Sequence, residues 1–69
     1  MSTATYTVSG MTCQHCVASV TEEIGEIAGV TGVDVDLASG AVTVTSETEI
    51  TDDAVRDAVV EAGYEVVAA

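Results

Sequence analysis

The sequence predicts an α+β domain of element order βαββαβ, and three observations point to it. Short runs alternate apolar and polar residues, the period of a half-buried strand, while two longer runs repeat apolar residues every three or four positions, the period of an amphipathic helix. Glycine-containing turn signals separate these runs. The 69 residues, 48% of them hydrophobic, suffice for one packed core and no second one, so residues 1–69 read as a single domain.

Taken in order, Ala4, Tyr6 and Val8 alternate and predict a first strand with one buried face, which Gly10 ends. Cys16, Val17, Val20, Ile24 and Ile27 then recur at helical spacing. Glu22, Glu23 and Glu26 lie off that stripe, free to face solvent, and Gly29 is the expected stop. Alternation returns at Val33, Val35 and Leu37, with Asp34 and Asp36 on the other face. The stretch LASGAV supplies a turn, and Val42 and Val44 continue as the second arm of a hairpin. Thr51 is placed to cap a second helix, and Asp52 and Asp53 fill its first turn, where the helix dipole favours anions. Ile50 and Val55 occupy the two positions of a hydrophobic staple, and Val55, Ala58, Val59 and Ala62 form the buried stripe. Asp52 and Arg56, four residues apart, are expected to pair at the surface. Gly63 stands where a C-terminal cap belongs, and Glu65 to Val67 read as a short last strand. Two right-handed βαβ crossovers then interleave into one four-stranded antiparallel sheet with both helices on one face, the ferredoxin-like arrangement.

Charge narrows the function. The formal net charge is −11, and Arg56 is the only Lys or Arg. Nucleic-acid binding needs a basic footprint, which this chain lacks, and an anionic membrane surface would repel it. The carboxylates suit a basic patch on a protein partner, or simply solubility in a salty cytoplasm. No apolar run approaches the ~20 residues of a membrane span, so membrane insertion is not expected. The first residues lack the basic and apolar regions of a secretory signal, which gives a cytoplasmic reading.

Chemistry concentrates in one stretch, GMTCQHCVASV at residues 10–20, which holds both cysteines and the only histidine. It falls between the first strand and the first helix. A structural disulfide is a poor reading, because the cytoplasm keeps thiols reduced and so short a loop constrains little. A closed zinc site wants four ligands, against two thiols and one imidazole here. Haem attachment needs His directly after the second Cys, where Val17 stands. Thiol–disulfide exchange is the serious rival, since C-x-x-C between strand and helix is also where thioredoxin-like proteins carry their redox pair. That larger fold places a cis-proline opposite the pair, whereas this chain has no proline and a different element order. The remaining reading is a thiolate pair offered to a soft cation such as Cu(I), with the helix N-terminus offsetting the negative charge. An open site of few ligands suits delivery better than storage.

GMTCQHC in this position, together with GYEV at residues 63–66, resembles the heavy-metal-associated domain family, most closely its freestanding bacterial copper chaperones. The resemblance covers essentially the whole chain. It implies that Cys13 and Cys16 bind Cu(I), that Met11 is a buried anchor of the loop, and that Tyr64 reaches toward that loop. It implies no enzymatic activity, and as partner the metal-binding domain of a copper-transporting P-type ATPase. His15 reads as an exposed polar residue, or as a participant in a copper-bridged dimer of a chain that is monomeric without metal. Two alternatives stand beside this reading: a small thiol oxidoreductase, and an excised metal-binding domain of a transporter, against which the initial Met and the absence of linker composition speak. Two expectations follow for the site. The protein should fold without metal. Cys13, just before the helix, should accept hydrogen bonds from its first N–H groups and be the more acidic thiol, whereas Cys16 shares the buried stripe of Val20 and Ile24.

Overall fold

The alternation at Ala4, Tyr6 and Val8 does become a strand. In the computed structural model, which describes residues 1–68, β1 spans Ser2–Ser9, with Tyr6 and Val8 buried and Thr3 and Thr5 exposed on the other face. There follow α1 (Gln14–Gly25), β2 (Val30–Asp36), β3 (Ala41–Ser46), α2 (Asp52–Glu61) and β4 (Glu65–Ala68). The sheet order is β2-β3-β1-β4 and every pairing is antiparallel. This is the ferredoxin-like arrangement that the element order predicts. Sheet residues Tyr6, Val8, Val42, Val44 and Val66 meet helix residues Val20, Ile24, Val55, Ala58 and Val59 in one core. Each fully buried aliphatic side chain there contributes about 1.5–3 kcal/mol.

The second helix follows its sequence signals closely. Thr51 Oγ1 accepts a 3.1 Å hydrogen bond from the Ala54 amide, and Ile50 and Val55 both pack into or against the core. At its other end Gly63, at φ +94°, donates to Val60 O (2.9 Å), and the Tyr64 amide donates to Val59 O (3.0 Å). That pair of bonds is the Schellman motif, in which the left-handed residue is most easily glycine.

Three expectations need correction. Helix α1 ends at Gly25, not at Gly29. The Glu26 and Ile27 amides donate to Glu23 O and Ile24 O, tightening the last turn, and the Val30 amide then closes a separate turn onto Ile27 O. Ile27 still packs against the core, from that turn. Leu37 belongs to the β2–β3 turn, in which Asp36 O accepts the Gly40 amide at 2.8 Å, and β2 itself begins earlier, at Val30. Finally, the Asp52 carboxylate takes a different partner from Arg56: the buried Tyr6 hydroxyl donates to it at 3.0 Å, tying β1 to the start of α2. The buried tyrosine needs that partner, because an unpaired hydroxyl out of water costs about 1–3 kcal/mol.

Candidate metal centre

Because β1 leads directly into α1, residues 10–13 form a loop at one end of the sheet. Gly10 opens it at φ +93°, and a Cβ there would lie 3.2 Å from Cδ1 of Tyr64. Both the backbone angle and the tyrosine ring therefore call for glycine. The Schellman turn after α2 delivers that ring, and Tyr64 also packs against the core. Met11 is half-buried and packs against the core, fastening the loop from inside.

Cys13 occupies the N-cap position of α1 in extended conformation, and its carbonyl accepts the amides of Cys16 (3.0 Å) and Val17 (3.3 Å). Its side chain makes no capping hydrogen bond, so the sulfur stays available. One helical turn on, Cys16 points the same way, and the two free sulfurs lie 3.3 Å apart. Cys13 is exposed, whereas Cys16 is only 8% exposed. Thr12 Oγ1 stands 3.9 Å from the Cys16 sulfur, a neighbour that sequence reasoning did not single out. Its only signal was its place inside the G-M-T-C run. His15 is exposed on the first turn of α1, and its carbonyl accepts the Ser19 hydroxyl at 3.1 Å. Among the described residues, no group of three or more His, Cys, Asp or Glu side chains is placed to hold a metal ion.

The acidity of the pair differs from expectation. The thiol that its surroundings make acidic is Cys16, lowered from an ordinary 9 to about 6. A hydrogen bond from the Tyr64 side chain is the largest cause, followed by the Thr12 backbone and the Cys13 thiol, while partial burial pushes the other way. Tyr64 is shifted upward in turn, by the same interaction with Cys16, by its own burial and by the nearby charge of the two sulfurs. The expectation for Cys13 assumed that its sulfur would cap the helix, and it does not.

Tyr64→Phe should therefore raise the Cys16 midpoint, read from the ultraviolet absorbance of thiolate during a pH titration. In the unsubstituted protein, affinity for a thiolate-seeking metal should fall by an extra factor of about tenfold per pH unit once the pH drops below Cys16's value of about 6. There the metal must displace a proton that is already absent at higher pH. An unchanged midpoint in the Phe variant would remove Tyr64 from this role.

Comparison with known proteins places this geometry among relatives. The model of the heavy-metal-associated domain matches residues 5–65. The COP-associated protein of Helicobacter felis is 41% identical over 59 residues, covering 86% of this chain and 89% of that protein. The copper chaperone CopZ of Bacillus subtilis is 39% identical over 67 residues, covering 96% of this chain and 97% of its own length. Among solved structures, a CopZ metallochaperone matches with a TM-score of 0.89 at 36% identity, covering 96% of this chain and all of that one.

Proposed function

The chain belongs to the heavy-metal-associated domain family, and from that premise we propose that it is a cytoplasmic copper chaperone, one domain over residues 1–69, that carries Cu(I) on Cys13 and Cys16. The observation that supports this reading best is the sulfur pair itself: two free thiols 3.3 Å apart, one exposed and one favoured as thiolate. Soft thiolates select Cu(I), which accepts few ligands. Zinc would lack two of the four it prefers.

Metal–sulfur bonds are about 2.3 Å long in zinc thiolates, so a cation held in line between two sulfurs would set them roughly 4.6 Å apart. The pair must open by about an ångström from 3.3 Å to reach that span. Cys13 is the side that can give, because its sulfur is exposed and uncapped, whereas Cys16 is fixed on the helix beneath Tyr64. The free N–H groups of the first turn offset the negative charge of two thiolates on one monovalent cation.

Release is ligand exchange. A thiolate of the partner forms a new sulfur–copper bond as the Cys13–copper bond breaks, and a second partner thiolate then displaces Cys16 in the same way, each cysteine leaving as a thiolate able to take a proton from solvent. Copper remains Cu(I), and nothing is oxidised or reduced. The partner in this reading is the metal-binding domain of a copper-transporting P-type ATPase. The empty carrier is a monomer, and exposed His15 is available to a copper-bridged pair.

The experiment is transfer: Cu(I)-loaded protein is mixed anaerobically with the apo metal-binding domain of a copper-transporting ATPase, and copper is followed after the two are separated. Copper should redistribute between them far faster than it reaches a chelator of equal affinity. A thiol oxidoreductase would instead reduce disulfides catalytically without metal, and that activity combined with no transfer would replace the copper reading.

A further inference from the structure

The sheet order β2-β3-β1-β4 leaves β2 at an edge, with one side lacking a neighbouring strand. Its first stretch is irregular. The register slips between Val30 and Gly32, and Thr31 Oγ1 donates to Thr45 O at 3.3 Å. From Gly32 to Asp36 the register against β3 is regular. Outside the sheet, only the two ends of the strand are tied: the Val30 amide donates to Ile27 O, and Asp36 O accepts the Gly40 amide. Between those ends, every second residue directs its N–H and C=O away from β3, and these groups have no partner among the described residues.

The two faces of this edge differ in chemistry. Val33 and Val35 lie opposite the buried Val44 and Val42 and pack against the core, yet each stays partly uncovered. Asp34 and Asp36 are exposed on the open face, opposite Thr43 and Ala41. Arg56, the only Lys or Arg, is on α2, and β2 itself contains no basic residue and no proline. Two-fold pairing with β2 of a second copy would gather the aspartates of both copies on one face of the new ladder, where facing like charges destabilise. The net charge of −11 on each copy adds to that repulsion. A strand of opposite sign would be attracted by the same two carboxylates. The edge is closed to its own kind and open to a basic one.

We propose that β2 accepts an extended segment of a partner protein as a fifth strand, a segment that alternates Lys or Arg with aliphatic residues. Its main chain takes up the free N–H and C=O groups between Gly32 and Asp36. Its basic side chains lie beside Asp34 and Asp36, and its aliphatic ones extend the apolar row of Val33 and Val35. At about 3.4 Å per residue the regular edge spans roughly 14 Å, which fits a segment of about five residues. No residue of the cysteine loop takes part.

The probe is the end-blocked peptide Lys-Val-Lys-Val-Lys-Val-Lys, added at low salt to isotope-labelled apo protein. Amides of residues 32–36 should shift, and alternate ones among them should exchange with solvent about tenfold more slowly. The peptide Lys-Lys-Val-Val-Lys-Lys-Val has the same composition without the alternation, and should bind about tenfold more weakly. Equal binding of the two would mean that charge alone acts, and would overturn the added strand. Shifts centred on Glu22, Glu23 and Glu61, which line a groove between the helices, would overturn it as well, and so would no shift at all. D34K/D36K should lose the alternating peptide by about tenfold or more, whereas E61K/E65K, of equal charge, should keep most of that affinity. Circular dichroism checks that both variants fold, and an equal loss in the two would count against β2. Wild type that dimerises through residues 32–36 in sedimentation would make a second copy the occupant and overturn the proposal.

Discussion

Cys16→Ser should abolish stoichiometric Cu(I) binding while leaving the fold in place. An alcohol is a poor ligand for a soft cation, and one remaining thiolate cannot hold it against cellular thiols. The loss should exceed the roughly 10–100-fold that removing an outer partner of a ligand typically costs. Cys13→Ser should do the same, and it disturbs even less structure because its side chain is exposed and uncapped. Anaerobic titration of each variant against a competing Cu(I) chelator reads the loss directly. Either single variant that kept wild-type affinity would show that the two sulfurs are not the site.

Ile24→Ala should have the largest effect on stability. Ile24 is 0% exposed, at the centre of the face that α1 presents to the sheet. Truncations of this kind cost about 2–5 kcal/mol, the lost transfer energy plus the cavity left behind. A domain of this size has on the order of 3–10 kcal/mol in total. At about 4–8 °C per kcal/mol the melting temperature should fall by about 10 °C or more. On the proposed function Cu(I) would bind only the native state, so adding it should recover part of that loss by mass action. A shift of only a degree or two would mean that the helix is not anchored where the core places it.

The helices and strands were legible because their signals are local. Alternation at Tyr6 and Val8, the stripe of Val20 and Ile24, and the Thr51 and Gly63 caps each depend on residues within one element or one turn of it. The features that differ depend on contacts between elements. Tyr6 and Asp52 are far apart in sequence and meet only once β1 and α2 are packed, so Arg56 looked like the natural partner. The end of α1 is hidden in the sequence because Ile27 stays at the core from within a turn, extending an apolar stripe beyond the helix that began it.

The same distinction applies at the cysteines. Their pairing follows from C-x-x-C at a helix start, a local feature, and the structure sets the sulfurs 3.3 Å apart. Their acidity does not follow, because its main cause is Tyr64, which arrives from the far end of the chain through the α2 cap and packs over Gly10. The family resemblance marks Tyr64 as a residue near the loop. Only the packed structure shows which sulfur it serves.

A two-sulfur site for a soft monovalent cation should discriminate sharply between metals, and metal preference tests it most directly. Apo protein is titrated anaerobically at neutral pH with Cu(I) in the presence of a competing chelator and a large excess of Zn(II), with bound metal counted by native mass spectrometry. One Cu(I) per chain should bind through that excess, with zinc absent from the complex, because Cys13 and Cys16 supply only half the ligands that zinc prefers. Zinc retained in place of copper would contradict the account.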